Sequence, residues 1–205
     1  MTDNLLGLLF GLASALIWGG GDFSGGLASR RINPFQAMTL ASITGLCAML
    51  ALAVLTGDSW PRGFDYAWAG GAGVIGALGI AALYRGLSMR AAAIVAPTSA
   101  VVGTAIPVLV SALLEGLPGL AQTSGIMTGA AGIWLVSRTS EPITSEIRRS
   151  FWLAAGSGVC FGTFFVFIAQ VQTESLFTPL TVAKAAASLA AILLLRRLHL
   201  PFPSL

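Results

Sequence analysis

The sequence predicts an all-α polytopic membrane protein of about seven transmembrane helices. Three observations carry that prediction. First, 56% of the 205 residues are hydrophobic and only 9% are charged, where soluble domains carry roughly 25% charged residues. So little polar material does not coat a water-exposed surface. Second, the apolar residues fall in long runs, each close to the ~20 residues a helix needs to cross a bilayer core. Third, the basic residues form short clusters between those runs, the pattern by which membrane proteins set their orientation. The same pattern accounts for the net charge of +3 without invoking nucleic acid.

Charges delimit the spans. In order they are expected at 5–28, 34–56, 66–87, 92–114, 120–137, 151–171 and 177–195. Backbone groups in lipid must be bonded within the segment, so the runs are helices. The alternation of a barrel strand is absent. The first run is too long for a secretory signal and lacks a basic region before it. Cys47 and Cys160 both lie within apolar runs, and nothing suggests a disulfide, a metal site or a cofactor.

Arginines set the direction. Arg30, Arg31, Arg85, Arg90, Arg138, Arg148, Arg149, Arg196 and Arg197 fall on one side, and Arg62 alone on the other. The bias places the N-terminus outside and the loops after odd-numbered spans in the cytoplasm of a cell whose plasma or inner membrane holds the chain. Trp60, Tyr66 and Trp68 then form an outer interfacial belt, and Trp152 sits at the inner one.

The chain also repeats itself. "GLASALIWGGGDF" from Gly11 resembles "LAAGSGVCFGTFF" from Leu153, pairing Trp18 with Phe161 and Ser14 with Ser157. "NPFQAMTLASITGL" from Asn33 resembles "TPLTVAKAAASLAA" from Thr178 after a two-residue slip. Span six therefore restarts the pattern of span one, and the unit is five helices long. Five is odd, so the second copy enters the membrane in the opposite sense. This is an inverted-topology repeat, a ground plan of secondary transporters. The expected division is a complete five-helix repeat over 1–140, a cytoplasmic linker over 141–150, and the first two helices of the second repeat over 151–205.

Three stretches carry a family resemblance: "ALIWGGGDFSGGLASRR", "ALYRGLSMRAAAIVAPTSAVVGTAIPVLVSALLEGLP" and "QTSGIMTGAAGIWLVSR". On these the chain resembles the EamA family of the drug/metabolite transporter superfamily. The resemblance implies transport of small metabolites, as an exporter. It also implies ten helices in two units, of which this chain is expected to hold one and a half. Such a chain is expected either to self-associate, covering the glycine faces of spans three and six, or to be an unstable, inactive fragment. Two departures stand out. The family's usual topology has both termini in the cytoplasm, whereas the arginines here put the N-terminus outside. The family's Glu at the end of span four is closely followed by proline, whereas Glu115 is followed by "GLP".

Asp22 lies about six residues before the inner end of span one, flanked by Gly19, Gly20, Gly21, Gly25 and Gly26. An intramembrane carboxylate normally faces the bundle interior or a wet cavity. The glycines let another backbone approach, or let the helix open at a ligand. The alternative is a small-residue packing groove with Asp22 snorkelling to water beside Arg30. Lys184, near the middle of span seven, is expected to pair with Asp22, to meet an anionic substrate, or to bear on proton coupling. Pro97 and Pro107 are expected to bend span four, and Ser99 and Thr104 between them offer hydroxyls. Trp18 is too deep for an interfacial anchor and is expected in a substrate wall or packed on glycines. Tyr84 closes span three beside Arg85, which reads as a topology determinant. The substrate path is thus expected among Trp18, Gly20, Asp22, Tyr84, Ser99, Thr104 and Lys184.

Other classes fare worse. A nucleotide-driven engine lacks its G-x-x-x-x-G-K-[ST] sequence. A retinal-type photoreceptor would use Lys184, but Leu180 rather than an acid precedes it by one turn. A membrane enzyme needs convergent titratable groups, and the spans offer only Asp22 and Lys184.

Overall fold

The computed structural model describes residues 2–89, 92–136 and 145–203. Seven helices follow one another there: α1 (Thr2–Ala28), α2 (Pro34–Thr56), α3 (Asp65–Ser88), α4 (Ala92–Glu115), α5 (Leu120–Val136), α6 (Ser145–Ile168) and α7 (Phe177–Arg197). Arg90, Arg138 and residues 137–144 lie outside the described residues. The protein is an all-helical polytopic membrane protein. Among the described residues six helices are long and apolar enough to span a bilayer. The other, α5, has 17 residues, at the short edge of spanning helices.

The largest departure from the expected boundaries is α6. It starts at Ser145, so 145–150 is helix rather than linker. Glu146 favours the positive N-terminal end of that helix, and the following arginines extend it into water without breaking it. At its other end α6 stops at Ile168, short of the expected 171. The chain turns there through the Gln170 N–H to Phe167 carbonyl bond, which carries the Gln172 N–H to Asp65 Oδ1, 3.2 Å away.

The start of α2 shows how local sequence sets an edge. Asn33 Oδ1 accepts from the Phe35 N–H at 3.0 Å, and Gln36 Oε1 accepts from the Asn33 N–H at 3.1 Å. This capping box satisfies donors that a helix start leaves free, and Pro34 fits a first-turn position that needs no N–H. Gly57 ends the helix with φ 67°, a left-handed turn that glycine adopts without a Cβ penalty.

Small residues set the packing. Lipid tails are as apolar as leucine, so helices associate by close van der Waals contact rather than by exclusion of water. Helix α3 is the centre, with α6 and α7 laid against it. Helix α6 also packs on α4, and α7 on α2, while α1 and α5 lie at the periphery. Gly73 of α3 sits directly on the Ala183 carbonyl of α7. A Cβ at Gly158 would lie 2.7 Å from the Ser99 carbonyl and 2.6 Å from Val102 Cβ, and one at Gly162 2.6 Å from Ile106 Cβ. The Gly158-xxx-Gly162 spacing is therefore a true groove for α4. Gly7, Gly11, Gly125 and Gly129 meet nothing within 4 Å.

Loops at the two ends lock the bundle. At the end carrying Arg62, Asp58 Oδ2 accepts from the Phe177 N–H at 2.8 Å, and its Oδ1 from the Thr56 hydroxyl at 2.8 Å. The Phe177 N–H first, then the Thr56 hydroxyl, hold the Asp58 carboxyl below the usual carboxylate range. Ser59 adds a carbonyl that accepts from the Thr178 hydroxyl at 2.7 Å. At the arginine-rich end, Gln36 Nε2 donates to the Pro201 carbonyl at 2.9 Å, and the Arg85 guanidinium lies 6.0 Å from the Phe35 ring centroid.

Candidate functional site

Two cavities hold Asp22 and Lys184, one each. The first, about 270 Å3, is bounded by α1, α2 and α3 on one side and α6 and α7 on the other. Lys184, Trp18, Met49, Ile80, Phe161 and Phe164 are on its wall. Lys184 lies seven residues into α7, about 10 Å from the helix start at 1.5 Å per residue. Its side chain runs across Gly45 of α2, where a Cβ would lie 3.2 Å from Cδ and 3.4 Å from Nζ. The missing side chain at Gly45 is what makes room for the ammonium. The Gly73 contact, one residue from Lys184, brings α3 close enough to close this wall.

The second cavity, about 250 Å3, lies between α1, α3 and α4. Asp22 is on its wall with Gly19, Phe23, Arg30, Leu87 and Ala96. Asp22 and Arg30 thus share one space. Tyr84 is 6% exposed and wedges its ring onto Gly25, while Leu87 packs on Gly26. Those two glycines seat α1 on α3. Gly19, Gly20 and Gly21 have open space where side chains would be.

Lys184 does not pair with Asp22. The two open into different cavities, and among the described residues neither has an ion-pair partner. The pairing fails for a geometric reason: Lys184 points across α2 at Gly45, whereas Asp22 faces the α3–α4 side of α1. Ser99 serves packing rather than either cavity. It is 4% exposed and donates to Ser157 Oγ at 3.1 Å, which in turn donates to the Gly79 carbonyl at 2.9 Å. Thr104 is exposed on α4. Pro97 and Pro107 both lie inside α4, which runs unbroken through them. Pro107 borders an open cleft of about 620 Å3 between α4 and α5. Glu115 lies on that cleft and accepts from the Ser111 hydroxyl at 2.8 Å.

Sequence reasoning missed Phe161, Phe164, Met49 and Gly45 as members of the Lys184 site. One signal was present. The repeat pairs Trp18 with Phe161, and both face the same cavity.

The fold and the site define a polytopic helical membrane protein with a charged, aromatic-walled cavity between its helices. A model of the EamA-like transporter family matches residues 5–138, more than half of the chain, and the chain belongs to that family. No curated protein and no solved structure matches it.

Proposed function

We propose that the chain is a secondary transporter of a small metabolite that binds in the Lys184 cavity, near the bilayer midplane between two inverted units. The first unit is 1–140, and the second begins with α6 and α7 after the linker. The observation that carries this reading is the make-up of the cavity wall: three helices of the first unit and both helices of the second meet there. Substrate sites at such repeat junctions let one unit rock against the other.

Two further features support the repeat. Trp18 and Phe161, paired by the sequence repeat, share the cavity. The N-terminal segments of α2 and α7 each receive a loop from the far side of the pair, Pro201 at Gln36 and Asp58 at Phe177. The arginine clusters support a cell-membrane orientation with the N-terminus outside, and export follows from the family resemblance. Self-association belongs to the same proposal, but the glycine faces of α3 and α6 expected to drive it are covered within the chain, Gly76 by Phe164 and Gly162 by Ile106, whereas Gly7, Gly11, Gly125 and Gly129 face open space.

The test is uptake of an isotopically labelled cell extract into proteoliposomes, read by mass spectrometry. A few small molecules should enter with the parent chain and fail with Lys184→Met and Trp18→Ala. Entry unaffected by both substitutions, or no entry at all, would overturn the reading.

A further inference from the structure

We infer that the Lys184 cavity takes a small organic monoanion, a carboxylate on an aromatic or branched apolar body, and refuses the zwitterion or amine of the same body. This names the substrate class of the site proposed above and rests on that proposal.

The wall's hydrogen-bonding inventory is one-sided. Lys184 supplies an ammonium with donors and no acceptor, and Trp18 an indole N–H that only donates. The remaining wall residues are Gly, Ala, Ile, Leu, Met and Phe. Among the described residues no carboxylate, amide or hydroxyl side chain lines this cavity. An ionised carboxylate is acceptor-only and complements the Lys184 ammonium on a wall whose side chains offer donors and no acceptor. A ligand ammonium finds no side-chain oxygen to receive its protons, and it meets the charge of Lys184 in the same small space. The rings of Trp18, Phe161 and Phe164 attract cations through their faces. That attraction is weaker than repulsion between two full charges held close together away from bulk water. The acid that would serve a zwitterion, Asp22, opens into the other cavity.

The ammonium is also free to act. Lys184 has no ion-pair partner among the described residues, and Gly45 leaves its chain a track along α2. Size sets the body. A dry cavity of about 150 Å3 holds benzene, so one of about 270 Å3 has room for one ring and a short acid chain. The aromatic residues offer such a ring edge and face contacts.

The experiment is calorimetric titration of the full chain in neutral-lipid nanodiscs with three ligands of one body: 3-phenylpropionate, phenylalanine and 2-phenylethylamine. The acid should bind at least tenfold more tightly than phenylalanine, and the amine should not bind. Lys184→Met should weaken the acid at least tenfold, while Lys184→Arg, which keeps the charge, should largely retain it. Leu180→Trp fills the cavity and leaves the charge, and it should also block the acid. Thermal midpoints confirm that each variant is folded, and Lys184→Arg keeps the test decisive if Lys184→Met is not. If phenylalanine or the amine binds as tightly as the acid and Leu180→Trp blocks it, the anion class is overturned while the cavity stands as the site. If no ligand binds, or acid binding survives Leu180→Trp, the site itself is overturned and the class with it.

Discussion

Gly73→Ala places one methyl group at the tightest helix contact beside the site. The added Cβ would fall on the Ala183 carbonyl, 2.6 Å from its carbon and 2.8 Å from its Cα. These are backbone atoms of α7 in the middle of a helix, so no rotamer change relieves the contact. The helices must part instead, which loses dispersion along the whole α3–α7 seam. Overpacking of this kind costs typically about 1–3 kcal/mol, against about 1 kcal/mol that alanine gains over glycine in a helix. A net loss of about 1–2 kcal/mol follows, because a backbone clash belongs at the upper end of the range. For a chain of this size, each kcal/mol shifts the thermal midpoint by about 2–4 °C. Gly20→Ala is the matched control, since nothing lies within 4 Å of its Cβ position. Thermal unfolding in detergent micelles should therefore show Gly73→Ala several degrees below the parent and Gly20→Ala level with it or above. Equal midpoints for all three, or an equal drop in both variants, would refute the packing argument.

Other consequences are as direct. Ser157→Ala removes a buried hydroxyl that bonds both Ser99 and the Gly79 carbonyl; the thermal midpoint should drop by the equivalent of about 0.6 kcal/mol, the average for such bonds in membranes, and at most about 1.7 kcal/mol. Asp58 has a folded pKa below its unfolded value because of the Phe177 N–H, so its contribution is full above the unfolded value of about 4 and fades as pH falls through the folded one. Midpoints measured from pH 6 down to 3 should fall more steeply for the parent than for Asp58→Asn, and parallel curves would contradict this. Asp22→Asn and Gly20→Leu should each lower transport far more than expression if the Asp22 cavity lies on the substrate path; normal transport by Asp22→Asn would make Asp22 a snorkelling residue. Reporter fusions active only outside the cell should respond after Asp58 and Glu174 and stay silent after Arg31 and Arg148, and the reverse would overturn the arginine-based orientation.

The helices were legible because lipid makes hydrophobic length and charge placement nearly sufficient to define them. The α2 boundaries match the expected 34–56, set by a capping box and a left-handed glycine. The early start of α6 was hidden, since charged residues that read as a loop in a span-by-span division continue a helix into water equally well. Helix partners were not legible. Four glycine pairs share the i, i+4 spacing, yet only in Gly158 and Gly162 do both members meet a neighbour within 4 Å, because spacing says which face is smooth and not what covers it. Trp18 and Lys184 stood out in the sequence because a deep aromatic and a deep charge are costly in lipid and need a reason, and both line the same cavity. Their companions Phe161, Phe164 and Met49 are ordinary apolar residues whose role comes only from the fold. Ser99 bonds Ser157 for the converse reason: a hydroxyl inside a span serves a neighbouring helix as readily as a ligand.

In an alternating-access transporter the Lys184 cavity is reached in turn from the two sides of the membrane. The direct measurement places a cysteine at Ala187, on the cavity wall, in a background with Cys47→Ser and Cys160→Ser. In sealed vesicles of known orientation, a membrane-impermeant maleimide is added to one side or the other. Labelling is expected from both sides, at rates that change in opposite directions when substrate is supplied. Labelling from neither side, or from one side at a rate indifferent to substrate, would contradict it.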